Sequence, residues 1–315
     1  MAHPGILHKY SKKLVAFEHA SSTTPSSPPH TLLWIGGLGD GLLTVEYPAT
    51  IAASLPHTWV LAEVVLRSSY NGWATGRLSR DARELGECVA YFRSLRPGSK
   101  IVLMGHSTGC QDIMEYLVGP GADSRPGLDG VVLQGGVSDR EAWDDMLSTA
   151  DERSKFAEVV DTAKRMIDAG DEKGIVNVSG NIVAEGLGAQ MSAYRTYSLL
   201  ARGGDDDYFS ADLSDEVFRG TFGAIPKSTR VAFLLGELDP YVPKRIDKAA
   251  LLERWTRIVR EGGGVVDSKN GGVVPGAHHN LNGDPEEVVA DLVRRVVGFV
   301  EGVEKSEEGV AGSRL

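Results

Sequence analysis

The sequence predicts an α/β protein with a mostly parallel central sheet, helices on both faces and an inserted all-helical segment. Two observations carry this reading. Four short apolar runs, at residues 32–35, 60–66, 101–104 and 131–133, alternate with helical patterns, the signature of parallel strands buried between helix layers. The alternation then stops for about 90 residues and resumes with an apolar run at 231–235.

Taken in order, the chain opens with strand candidates at 5–8 and 14–18, followed by a Ser-, Thr- and Pro-rich loop over 21–30. A helix is expected over 79–95, with Ser79 as N-cap and Leu85, Val89 and Phe92 on its buried face. Between 139 and 219 the pattern reads as helices at 141–146, 155–169, around 191–200 and near 212–218. After the run at 231–235 come a helix over 244–260, a weak strand at 265–267 and a last helix over 285–300, for which Asp284-Pro285 is a good start. The expected organisation is a core made of residues 1–136 and 226–302, a helical cap over 137–225 at the sheet's carboxyl edge, and a disordered tail over 303–315.

Composition narrows the function. The net charge of −10 argues against nucleic acid, whose phosphates need a basic face. No run approaches the ~18 apolar residues of a membrane span, and the start of the chain lacks a secretion-signal pattern. A cytoplasmic protein is therefore expected, and the only two cysteines, Cys88 and Cys110, are expected to be packing residues in a reducing compartment. The acidity is local. Residues 137–225 hold 18 Asp and Glu against 9 Lys and Arg, a surplus of −9 that leaves −1 for the rest. No cofactor or metal is expected: Asp205 to Asp207 read as an exposed loop, because three consecutive carboxylates cannot all face one ion. The oligomeric state is left open.

The chemistry centres on Gly105-His106-Ser107-Thr108-Gly109, which follows an apolar strand and precedes a helix whose buried face is Cys110, Ile113, Met114, Leu117 and Val118. In that context a GxSxG pentapeptide reads as a nucleophile elbow, with Ser107 raised above the sheet edge. A serine hydroxyl needs a base, and the base needs an acid to hold its tautomer. Both follow in the chain order of an α/β-hydrolase. Glu237 and Asp239 lie just past the strand at 231–235, and His278 and His279 lie in the loop before the last helix. The residue types leave both pairs open, whereas the hydrolase pattern GxxDxxVP favours Asp239 and loops of the form Gly-Ala-x-His-Asn favour His279. Oxyanion donors are expected from the backbone N–H of Thr108, the residue after the nucleophile, and of Leu38 in the loop Gly36-Gly37-Leu38-Gly39-Asp40-Gly41. That loop lacks the Lys-Ser/Thr ending of a P-loop and the spacing of a dinucleotide fingerprint. Tyr70, Trp73 and Trp143 are candidate pocket aromatics, with core packing as the alternative.

The runs Leu103-Met104-Gly105-His106-Ser107-Thr108-Gly109-Cys110-Gln111-Asp112, Gly37-Leu38-Gly39-Asp40-Gly41, Ser68-Ser69-Tyr70-Asn71-Gly72-Trp73 and Val137-Ser138-Asp139-Arg140-Glu141 resemble the fungal fusarinine C esterase family of siderophore hydrolases. The similarity spans most of residues 32–281. It implies an α/β-hydrolase that cuts the ester bonds of fusarinine-type hydroxamate siderophores inside the cell and so helps release their iron, with a small-molecule ester as its partner. Ferric fusarinine C carries free amino groups, which an acidic lid would attract; a solvated lid that keeps the protein soluble is the alternative. A carboxylesterase or lipase-like enzyme for another hydrophobic ester, and a non-catalytic binding protein on the same fold, are the competing functions.

Overall fold

Short β-branched and aliphatic runs build the middle of the sheet, because its central strands bury both faces and so need no polar side. The computed structural model describes residues 2–21 and 24–305. In chain order its elements are β1 (Gly5–His8), β2 (Ala16–His19), β3 (His30–Ile35), α1 (Tyr47–Ser54), β4 (Trp59–Val64), α2 (Leu78–Leu95), β5 (Ile101–His106), α3 (Thr108–Val118) and β6 (Gly130–Gln134). Five helices follow without a strand: α4 (Asp139–Met146), α5 (Ala150–Asp168), α6 (Ile182–Leu187), α7 (Ala193–Leu200) and α8 (Asp215–Gly220). The chain closes with β7 (Arg230–Gly236), α9 (Lys248–Glu261), β8 (Val265–Val266), β9 (Gly272–Val274) and α10 (Glu286–Lys305).

The strand order is β1-β2-β4-β3-β5-β6-β7-β8, with β9 also paired to β7. Among the described strands, β1–β2 and β2–β4 run antiparallel, and every pairing from β4 onward in the strand order is parallel. The chain leaves β3 toward β4 and returns on the other side to β5, so the strand order reverses at β3. The crevice outside the carboxyl ends of β3 and β5 is the place where an open α/β sheet binds ligands.

Alternation along the strands splits the core in two. Leu33, Leu103, Leu133 and Phe233 pack under α2, α3 and α9, while Leu32, Met104, Val132 and Leu234 pack under α1 and α10. Each such side chain contributes about 1.5–3 kcal/mol by leaving water. Both cysteines are buried and free in the first of these cores. Among the described residues, no helix is long and apolar enough to cross a membrane.

The helices between β6 and β7 have a core of their own, in which Val159, Ala163, Val176, Val183, Leu199 and Leu200 meet Trp73. Its extent differs from the sequence expectation. Tyr208, Phe209, Phe218, Phe222 and Ile225, expected in the cap, belong instead to the sheet core, where Phe209 and Phe222 pack on Trp255 at ring separations of 5.5 and 5.4 Å. Only the first part of the insertion is thus an independently packed layer. The acidic loop also differs. Asp206 is buried and takes Arg195 on both carboxylate oxygens at 2.8 Å, because α7 presents a buried guanidinium that needs a counter-charge. Asp205 accepts from the Tyr194 hydroxyl, and Asp207 pairs with Arg140. Much of the insertion's acidity is likewise paired, partly to Arg245, Arg254 and Arg257 on and before α9.

Two smaller corrections concern helix ends. Ser79 lies inside α2, whose first flanking residue is Arg77 and makes no side-chain cap. The last helix runs through Lys305, so residues 303–305 of the expected tail are helical; residues 306–315 lie outside those described.

Candidate active site

The strand β5 delivers Ser107 into a turn too tight for ordinary backbone: its φ is 52° and ψ −124°. A non-glycine residue held at positive φ costs about 1–3 kcal/mol, and the neighbours hold it there. Ser107 N–H donates to the Gln134 carbonyl at 3.0 Å, and Cys110 N–H donates to the Ser107 carbonyl at 2.8 Å. A Cβ on Gly105 would stand 2.5 Å from the Gly109 carbonyl carbon, and one on Gly109 2.4 Å from the Ile35 oxygen, so neither position admits a side chain. α3 starts at Thr108, which aims the positive end of its dipole at the space above the serine.

Asp239 and His279 reach the same point from β7 and from the loop before α10. Ser107 Oγ lies 2.8 Å from His279 Nε2, and His279 Nδ1 lies 2.7 Å from Asp239 Oδ2. Because a carboxylate only accepts, Nδ1 carries the proton and Nε2 offers its lone pair to the serine. The Asp239 side chain has no solvent exposure, and its other oxygen accepts from Tyr241 N–H at 3.0 Å. The Tyr241 ring stands edge-on to the imidazole at 4.7 Å. The two competitors have other partners. Glu237 accepts from Gly276 N–H at 2.7 Å and so shapes the histidine loop, while His278 bonds Asp284 through Nδ1 at 2.6 Å.

A buried polar relay supports these residues. Gln134, the last residue of β6, donates from Nε2 to the His279 carbonyl at 3.0 Å. Its Oε1 accepts from Tyr47 at 2.9 Å and from His106 Nδ1 at 2.7 Å, and the Tyr47 hydroxyl in turn accepts from Trp34 Nε1 at 3.1 Å. Burial, reinforced by the neighbouring His279, pushes the His106 pKa down to about 3, so this ring stays neutral. Neither the His106 ring nor Gln134 stands out in the sequence as a support of the site; a glutamine closing the otherwise apolar strand β6 is the available signal.

The glycine loop after β3 touches the serine. A Cβ on Gly37 would lie 2.6 Å from Ser107 Cβ. Asp40 folds the loop by accepting from Gly37 N–H at 2.8 Å and from Thr44 at 3.0 Å. Leu38, whose N–H has no hydrogen-bond partner among the described residues, lines the cleft beside Ser107, and Thr108 opens α3 as the residue directly after the serine. Gly37→Ala is expected to lower kcat/KM on an aryl ester by about a hundredfold, since displacing a reacting atom by about 1 Å costs that much; steady-state kinetics with a matching thermal melt checks it.

Above the triad lies a cleft of about 670 Å3, walled by Leu38, Val137, Trp143, Met146, Ile182 and Leu187, with Asp139 and Asn280 among its polar members. Trp143 is in this wall, but Tyr70 and Trp73 are not. The Trp73 indole is buried in the insertion's core, and the Tyr70 ring covers Gly41 while its hydroxyl accepts from Leu42 N–H at 2.9 Å. Both follow a strand end in sequence, yet the short helix over Tyr70–Thr75 turns them under and beside the loop after β3.

The family model described as "Protein of unknown function (DUF1749)" matches residues 1–301. The Aspergillus fumigatus protein named fusarinine C esterase sidJ is 35% identical, covering 96% of this chain and 97% of its own. The chain belongs to the fusarinine C esterase family of α/β-hydrolases. An esterase of Emericella nidulans is 36% identical over 96% of this chain and 93% of its own. The structure of the siderophore hydrolase EstB from Aspergillus fumigatus superposes with a TM-score of 0.84 at 35% identity, covering 97% of this chain and 99% of that one. The mostly parallel sheet with helices on both faces is the α/β-hydrolase fold that these relatives share.

Proposed function

We propose that the protein is a cytoplasmic serine esterase that hydrolyses the ester bonds of fusarinine-type hydroxamate siderophores and thereby helps free their iron. The observation that carries the reading is the continuous Asp239–His279–Ser107 hydrogen-bond chain at the floor of a cleft, in a chain 35% identical to a protein named for that reaction.

Ser107 attacks the ester carbonyl as His279 Nε2 takes its proton, and Asp239 steadies the imidazolium that forms. The Leu38 and Thr108 N–H groups hold the oxyanion, each contributing about 2.7–4 kcal/mol to the barrier reduction. The imidazolium returns its proton to the departing alkoxide. Water, deprotonated by the same histidine, then releases the carboxylic acid and restores the serine. The iron travels inside the substrate and takes no part at the serine.

The cleft wall is mainly apolar, which favours as second reading a carboxylesterase of some other hydrophobic ester. Mass spectrometry of ferric fusarinine C after incubation with the enzyme separates them. The expected products are opened and monomeric fusarinines that have each gained water. An intact siderophore, from an enzyme that still cleaves simple aryl esters, would transfer the assignment to the second reading.

A further inference from the structure

The motif over residues 137–141 holds four polar side chains, and three of them are structurally employed. Ser138 caps α4 by accepting from Glu141 N–H and bonds Ser210; Arg140 pairs with Asp212; Glu141 accepts from Ala211 N–H at 2.9 Å. These ties fasten α4 to the segment after α7. Asp139 is different. It lines the cleft, and among the described residues its carboxylate has one side-chain hydrogen-bond partner, Gln111 Nε2 at 3.5 Å, the limit of a hydrogen bond.

Asp139, Ala142, Trp143 and Met146 stand at i, i+3, i+4 and i+7, so one face of α4 forms this wall of the cleft. The Trp143 indole is held in place. It stacks on Phe156 at 5.9 Å, and Gly186 makes room for it, since a Cβ there would lie 2.7 Å from the ring. A carboxylate and an indole one helical turn apart, in an otherwise apolar wall, match the two ways proteins hold organic cations. Asp40, the other carboxylate of the cleft, is already taken by Gly37 and Thr44. Among the described residues no lysine or arginine lines the cleft.

Resting on the esterase reading, we propose that Asp139 and Trp143 form a subsite for an ammonium group carried by the ester substrate, so that the enzyme distinguishes a free amine from its acylated form. The electrostatics agree. Burial, and after it the nearby Asp206 carboxylate, push the Asp139 pKa up to about 7 against the pull of Arg195 and His279, so an entering cation stabilises a carboxylate that the empty cleft does not. This is a contact effect inside the cleft, distinct from long-range steering by the acidic insertion, and it therefore survives added salt.

The test compares p-nitrophenyl 6-aminohexanoate with its neutral 6-acetamido analogue at 0.5 M salt, on wild type, Asp139→Asn, Asp139→Glu and Trp143→Leu. Wild type is expected to prefer the amine in kcat/KM. Asp139→Asn is expected to lose at least about tenfold more on the amine than on the amide, Asp139→Glu to keep most of the preference, and Trp143→Leu to lose about threefold of it. No preference in wild type, or an equal fall on both esters in Asp139→Asn, would overturn the subsite while leaving the esterase in place. If wild type turned over neither ester and took no fluorophosphonate label, the esterase reading would fail instead. Calorimetry of methyl 6-aminohexanoate on wild type and Asp139→Asn would then decide the subsite alone, equal affinity overturning it.

Discussion

Replacing Ser107 by alanine is expected to lower kcat by at least roughly a thousandfold on any ester the enzyme accepts, while the thermal melt stays within a few degrees of wild type. The size follows from what is lost. Without the hydroxyl no covalent intermediate forms, and only the oxyanion donors and substrate positioning remain to act on attack by water. The fold is expected to hold because the elbow's strain is balanced by backbone bonds, Ser107 N–H to Gln134 and Cys110 N–H to Ser107, which alanine keeps. Retention of most activity would remove Ser107 from the mechanism.

Asp239→Asn is expected to cost about 10⁴-fold in kcat with little change in structure. An amide is close in shape to a carboxylate but can present its NH2 group to His279 Nδ1. The ring then carries its proton on Nε2, facing Ser107, and can no longer accept the serine's. Glu237→Gln is the matched control, because its partner is Gly276 N–H rather than the imidazole. The amide oxygen still accepts there, so its expected loss is below about tenfold. Comparable losses in the two variants, measured by steady-state kinetics, would mean that Glu237 shares the acid's role.

The sheet was legible because strands buried on both faces are written as uninterrupted apolar runs, and the runs at 32–35, 101–104 and 231–235 lie within β3, β5 and β7. The triad residues were legible as a set because each sits at a strand end or before a helix, where the chain order of the fold narrows the choices. What the sequence hid depends on partners distant along the chain. Phe209, Phe218 and Phe222 sit in a helical stretch, and nothing local tells that Trp255 claims them for the sheet core. Asp206 reads as a solvent-facing acid until Arg195 is seen beneath it. β9 is three residues that begin on the second of two glycines, and α6 six residues with a glycine inside, each too short for periodicity to register. Tyr70 and Trp73 carried an aromatic signal that geometry turned elsewhere, whereas Asp139, inside a motif noticed for its resemblance alone, turned out to line the cleft.

The mechanism rests on Ser107 as a nucleophile activated by His279. Its most direct test is intact-protein and peptide mass spectrometry after brief exposure to a fluorophosphonate. One adduct per chain is expected, on the peptide that contains Ser107, absent from Ser107→Ala and strongly slowed in His279→Ala. A wild-type protein that takes no label, or takes it on another serine, would contradict that mechanism.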